Sequence, residues 1–249
     1  MARVFITGSA DGLGRETART LLAAGHEVVI HARNRHRREA VRDLIDAGAR
    51  AVVGDLAHLD EVRQVADAVH RLGRMDAIIH NAGVYHGPEV MPVNIVAPYL
   101  LTALIEPPAR LVYLSSSEHY AGYPGSLADT DWAGHTGGSY PSSKLFVTAL
   151  AFAVARRWPH TTSNAVDPGW VPTRMGGPNA PDDLRLGHLT QEWLAVSDDP
   201  DAHISGGYWH HQKRRASNPA AADPTFQDAL LAALAEHTGM RLLDGDEHA

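Results

Sequence analysis

The run Tyr140-Pro-Ser-Ser-Lys144 sets a phenol and an ammonium one helical turn apart. On a helix that opens near Pro141, a residue suited to a first turn, positions i and i+4 share a face. A free phenol titrates at about 10 and is a poor base near neutrality, unless a nearby cation favours its ionised form. The pair therefore suits proton transfer at a reacting oxygen, with Tyr140 as acid/base and Lys144 as the cation that tunes it. Alone the spacing is common, and Tyr140 could equally pack as an amphipathic aromatic.

A different chemistry is written near the start. Thr7-Gly-Ser-Ala-Asp-Gly-Leu-Gly14 places three glycines within seven positions, directly after the apolar run Arg3-Val-Phe-Ile-Thr7. Between a strand and a helix, backbone N–H groups and the helix dipole meet a phosphate, and glycine lets the chain approach it closely. Gly8, Ser9, Gly12, Leu13 and Gly14 are thus candidates for holding a dinucleotide. The spacing is Gly-x-x-x-Gly-x-Gly rather than Gly-x-Gly-x-x-Gly, and by itself it could be an ordinary tight turn. An acidic residue for a ribose 2′-hydroxyl is expected about 20 residues on, at the end of the second strand. Ala32-Arg33-Asn34-Arg35 stands there instead, followed by Arg37 and Arg38. Guanidinium groups grip a phosphate bidentately, so Arg33 and Asn34 favour NADP(H) over NAD(H); the bland alternative is a solvated basic turn.

These groups need elements to position them. Short Val/Ile-rich runs without two-residue alternation recur at Arg3–Thr7, Glu27–His31, Ala49–Val53, Asp76–His80, Arg110–Leu114 and Ser163–Asp167, as in strands covered on both faces. Helix-period stretches fall between them at 14–24, 35–47 and 59–72, each closed by a glycine, at Gly25, Gly48 and Gly73. A late strand is predicted at 204–209 and a last helix at 225–237, with Gly/Pro-rich loops at 122–138, 176–181 and 217–224. The pattern predicts a single α/β domain over 1–249: a three-layer, doubly wound parallel sheet of the Rossmann-like kind, binding its ligand at the carboxyl ends of the strands.

Composition narrows the function. The 249 residues contain no cysteine, which removes disulfides and thiolate catalysis and suits a reducing cytoplasm. A net charge of −7 without a basic stripe argues against a nucleic-acid partner. The most apolar stretch, 145–155, is far shorter than the roughly 20 residues of a membrane span, and the first residues do not read as a secretory signal. The sixteen histidines form no HExxH helix pattern and read as mostly surface residues, so no metal is expected. Because 145–155 is apolar nearly all round, one face is expected on the sheet and the other against a second copy of the chain.

The ordered motifs resemble the short-chain dehydrogenase/reductase family over most of the chain, from Val4 to about Gly207. Thr7–Gly14 fits its glycine motif, and Asp55-Leu56 looks like the pair beside the adenine. His80-Asn81-Ala82-Gly83 is similar to Asn-Asn-Ala-Gly, with histidine in place of the first asparagine. Ser116 follows the fifth strand, Tyr140 and Lys144 fit Tyr-x-x-x-Lys, and Pro168-Gly169-Trp-Val171-Pro-Thr173 fits the turn flanking the nicotinamide. The resemblance implies hydride transfer between a nicotinamide and a small carbonyl or secondary alcohol. Tyr140 would supply the proton, Ser116 would hold the substrate oxygen, and Lys144 would also hold the nicotinamide ribose. Asn94 would anchor a water relay as the fourth catalytic member.

Two departures stand out. Only ten residues separate Gly83 from Asn94, so the helix after the fourth strand is expected to be nearly missing and Asn94 to be displaced. The stretch between Ser116 and Tyr140 is long and resembles the retinol-dehydrogenase-like branch. Segment 174–189 is expected as a substrate loop and 208–249 as a C-terminal extension. Singly, Ser116 could merely end a strand and Asn94 could cap a helix. Two rivals remain: a non-catalytic NADP(H)-binding regulator on the same fold, and a nucleotide-sugar epimerase or dehydratase, for which the chain after Asp167 leaves little room.

Overall fold

The computed structural model describes residues 1–243; the last six positions of the expected C-terminal extension, 244–249, lie outside the described residues. Strands β1 (Arg3–Ile6), β2 (Glu27–Ala32), β3 (Arg50–Val53), β4 (Ala77–His80), β5 (Arg110–Leu114), β6 (Thr162–Asp167), β7 (Tyr208–His210) and β8 (Lys213–Arg215) form one sheet in the order β3-β2-β1-β4-β5-β6-β7-β8. All neighbours are parallel except β7 and β8. Strand order reverses between β1 and β4, which opens a crevice at their carboxyl ends.

Helices cover both faces, as the unbroken apolar strands require. Phe5, Val29 and Ile78 point into one core, with α4 (Leu59–His70), α5 (Ala97–Leu104), α6 (Tyr140–Arg157) and α8 (Pro224–Thr238). Val4, Ile6, Val28 and Ile30 point into the other, with α1 (Gly12–Ala23), α3 (Arg42–Asp46) and α7 (Leu184–Val196). Three layers result, in a single domain.

Five expectations are corrected. The helix expected over 35–47 is two short ones, α2 (Arg35–Glu39) and α3, because Val41 leaves helical geometry at φ −116° to be fully buried. The late strand is shorter than 204–209 and continues into β8 through a two-residue turn, His211 and Gln212, at φ +49° and +59°. The helix after β4 is present: it begins at Val90 and passes through a π-turn, Pro92–Val96, into α5. The last six residues of the expected 174–189 loop are helical, since Asp183 caps α7 by accepting from the Arg185 and Leu186 amides at 2.7 and 3.1 Å. The outer face of α6, expected against a second copy, is covered by the chain's own C-terminal segment. Leu230, Leu231 and Leu234 share a core with Phe146, Leu150 and Val154, and the Phe146 and Phe226 rings lie 5.8 Å apart. Most of the described histidines are exposed or partly exposed, as expected, and four, at 31, 80, 119 and 188, are buried.

Candidate active site

A cleft of about 730 Å³ runs from the glycine turn after β1 to Tyr140 and Lys144 at the start of α6. The turn is held by close packing. Gly8 has φ +62°, and a Cβ there would stand 2.8 Å from the Ala82 Cα. A Cβ on Gly14 would stand 2.4 Å from the Asn81 Nδ2, so Gly14 lets β4's end press against α1. Asn81 in turn donates from Nδ2 to the Thr7 carbonyl at 2.9 Å, while the Asn81 and Ala82 amides both donate to the Thr7 hydroxyl, at 2.9 and 3.0 Å. Asp11 caps α1 by accepting from the Gly12 amide at 2.8 Å.

Of the residues expected to hold a dinucleotide, Gly8, Gly12, Leu13, Arg33, Asp55, Leu56, Asn81, Ala82, Gly83, Pro168 and Thr173 line the cleft together with Tyr140 and Lys144. Others stand behind it. Ser9 is fully buried, accepting from the His31 amide and donating to the Ile6 carbonyl, both at 2.8 Å. Asn34 caps α2 through the Arg37 amide at 2.9 Å. Gly169, at φ +81°, donates to Asp167 Oδ1 at 2.9 Å, and Val171 is buried against Gly187. Two guanidinium groups stand at the mouth: Arg33 Nη1 lies 3.6 Å from Glu89 across the cleft, and Arg37 lies 2.9 Å from Asp11. The Arg37 hydrogen bond holds the Asp11 carboxyl below its usual range.

Sequence reasoning missed His31, whose signal is a lone histidine in the apolar run Val28-Val-Ile-His31. Its Nδ1 accepts from the Gly8 amide at 3.0 Å, so Nε2 carries the proton and donates to the Gly54 carbonyl at 2.8 Å. Burial lowers its pKa and keeps the ring neutral, which the Gly8 contact requires.

At the other end, Ser139 caps α6 by accepting from the Ser142 amide at 3.3 Å, with Pro141 in the first turn. Tyr140 is thereby the first helical residue, and the Lys144 Nζ stands 5.4 Å from the centre of its ring. Lys144 is buried and donates to the Leu114 carbonyl at 2.8 Å. Ser116 is half-buried and caps the turn Ser117–Ala121, its hydroxyl accepting from the Glu118 amide at 3.2 Å, and it stands near enough to the Tyr140 phenol to favour the ionised form. Burial raises Tyr140 to about 12, which outweighs the nearby Ser116 hydroxyl acting the other way, so the phenol is protonated near neutrality. Burial also lowers Lys144 to about 8, partly offset by the Asp167 carboxylate. Tyr85, another residue missed, packs its ring 4.4 Å from that of Tyr140.

Asn94 is buried at the π-turn, within reach of Val84 and α6. Its Oδ1 accepts from the Val84 amide at 2.8 Å, and its Nδ2 donates to the Val84 carbonyl and the Ser143 hydroxyl, both at 2.9 Å. A Cβ on Gly83 would lie 3.5 Å from that Oδ1 and 3.6 Å from the Lys144 Nζ, so Asn94 and Lys144 flank the same glycine.

Comparison with known proteins identifies the family. The short chain dehydrogenase family model matches residues 2–108. Short-chain dehydrogenase chry4 of Gibberella zeae is 37% identical, with 97% of this chain and 99% of that protein aligned. The chain belongs to the short-chain dehydrogenase/reductase family. It is an oxidoreductase of that family, and short-chain dehydrogenase chyC of Penicillium rubens is 36% identical over 97% of this chain and 99% of its own. Human retinol dehydrogenase 13 is 27% identical, covering 95% of this chain and 84% of that one. Among solved structures, an uncharacterized protein from Mycobacterium paratuberculosis superposes with TM-score 0.81 at 24% identity, covering 98% of this chain and 95% of the other. A short chain dehydrogenase from Shigella flexneri complexed with NADP superposes at 0.68 and 23% identity, covering 85% and 97%. At those identities the structures speak for the fold alone. Among the described residues no helix is long and apolar enough to cross a membrane.

Proposed function

We propose that this oxidoreductase moves a hydride between NADP(H) and a small carbonyl or secondary alcohol, with Tyr140 as acid/base, and that it works in the cytoplasm. The observation carrying the reading is that one cleft joins a glycine-walled helix N-terminus to Tyr140 and Lys144, with Ser116 outside the lining but beside the Tyr140 phenol. The residues fit a dinucleotide: a Cβ would fill the turn at Gly8 and Gly14, and Gly12 and Leu13 at the start of α1 line the cleft, where a helix dipole favours a phosphate. Bound there, the nicotinamide supplies or accepts the hydride.

The chain's own groups do the rest. Ser116 holds the substrate oxygen near Tyr140, in the preorganised manner of an oxyanion site. Tyr140, protonated near neutrality, gives its proton to that oxygen during reduction. The Lys144 ammonium favours the phenolate left behind and binds the ribose, while Asn94 fixes the backbone at Val84 beside it. The guanidinium of Arg33 at the mouth, with no acidic residue in its place, supports NADP(H) over NAD(H), and the NADP complex of the Shigella flexneri protein agrees.

The direct check is to mix the protein with NADPH and a panel of ketones and quinones and follow the nicotinamide absorbance. Oxidation with at least one carbonyl is expected. Stoichiometric NADPH binding without oxidation across the panel would instead identify a nucleotide-binding regulator on this fold.

A further inference from the structure

His119 is fully buried in the turn that follows Ser116. Both ring nitrogens are engaged, and their partners assign the proton. The Ser116 carbonyl can only accept, so Nδ1, 2.8 Å away, carries the hydrogen. Nε2 receives the Asn218 backbone N–H at 3.0 Å and is therefore bare. Asn218 also donates from its side-chain amide to the carbonyls of His119 and Tyr120, each at 3.3 Å, and the Tyr120 hydroxyl donates to the Ala216 carbonyl. The ring packs between Tyr120 and Tyr208, with centroids 4.0 and 4.4 Å away. A neutral imidazole thus links the Ser116 backbone to a segment far along the chain.

We propose that His119 is a positioning residue for the Ser116 hydroxyl, competent only in its neutral form, and that it makes segment 216–222 part of the catalytic apparatus; this rests on the role proposed above for Ser116. Protonation at Nε2 would set two N–H groups face to face, break the Asn218 bond and free the turn. Ser116, which caps that turn beside Tyr140, would lose its aim. Burial favours the neutral ring and lowers its pKa. The titratable groups on the neighbouring elements are Tyr120 and Glu118 on the turn itself, Tyr208 of β7, Asp167 ending β6, and Tyr140 and Lys144 of α6. Of these, the Asp167 carboxylate pulls His119 the other way without reversing the effect.

The test uses the full chain with NADPH and phenanthrenequinone as the probe, between about pH 4.5 and 8. In wild type, kcat should fall on the acid side with a midpoint below about 6.5. In His119→Gln the amide nitrogen and oxygen stand in for the two ring nitrogens and do not titrate, so activity near neutrality should be rescued and the acid limb should vanish. His119→Ala should lose about 100-fold in kcat with NADPH affinity unchanged, as a slightly misaimed group does. An acid limb surviving in His119→Gln, or wild-type kcat in His119→Ala, would overturn the proposal. Nitrogen NMR of the ring gives a readout free of turnover: the Nδ1–H tautomer is expected, with the Ser116 and Asn218 amide signals following its titration. If wild type does not reduce the quinone, the proposed function is what fails. Amide signals indifferent to the His119 titration would sink the clamp on their own.

Discussion

At the scale of residues, the site is built from side chains whose neutral or charged state is set by burial. Tyr140 is held protonated and Lys144 is brought to about 8, so proton donation is favoured near neutrality and a working base only at higher pH. The spacing of Tyr140 and Lys144 makes their meeting legible in the sequence, whereas the opposing effect of burial on the phenol is not, because it depends on Tyr85 and the cleft walls. Arg33 is the residue on which the proposed preference for NADP(H) turns. It is paired with Glu89 across the mouth, a half-exposed contact of the kind worth little by itself and readily exchanged for a phosphate. Arg33→Ala should weaken NADPH about tenfold or more and NADH little, as a charge-assisted contact to the 2′-phosphate predicts. Equal losses for the two nucleotides, measured by fluorescence titration, would show Arg33 to be structural.

At the scale of elements, the strands and the two functional turns were readable because apolar runs and glycine spacing are local signals. What escaped reading depended on distant packing. The β7–β8 hairpin turns on His211 and Gln212 in left-handed conformations, where Asn-Gly is the usual signal. The helix after β4 looked too short because its π-turn folds Asn94 back onto Val84 within few residues. The apolar α6 promised a partner, and α8 met that need from within the chain, helped by Arg157 reaching Asp228 at 3.0 Å. With that face covered, light scattering at micromolar concentration should give the mass of one 26.9 kDa chain. A stable dimer would show that another surface does the pairing.

At the scale of the whole molecule, the buried histidines tie stability to pH. His80, fully buried on β4, hydrogen-bonds the Thr102 hydroxyl at 3.2 Å and stacks on Tyr113 at 4.7 Å, and burial depresses its pKa to about 3. An unfolded chain takes up that proton near 6.5, so below it the unfolded state binds more protons and stability falls as pH drops, down to about 3. This one group should cost about 2 kcal/mol between about pH 7 and pH 5. Urea unfolding of wild type and His80→Asn at the two pH values checks this: the variant should show the smaller loss, and equal losses would assign the acid sensitivity elsewhere. In the proposed reaction the two ends of the cleft do separable work, the glycine turn and Arg33 holding a dinucleotide and Tyr140 moving a proton. The most direct measurement is NADPH affinity and carbonyl turnover in Tyr140→Phe. The ring stays and the hydroxyl goes, so affinity should hold while kcat falls by about 100-fold or more; turnover at the wild-type rate would contradict the account.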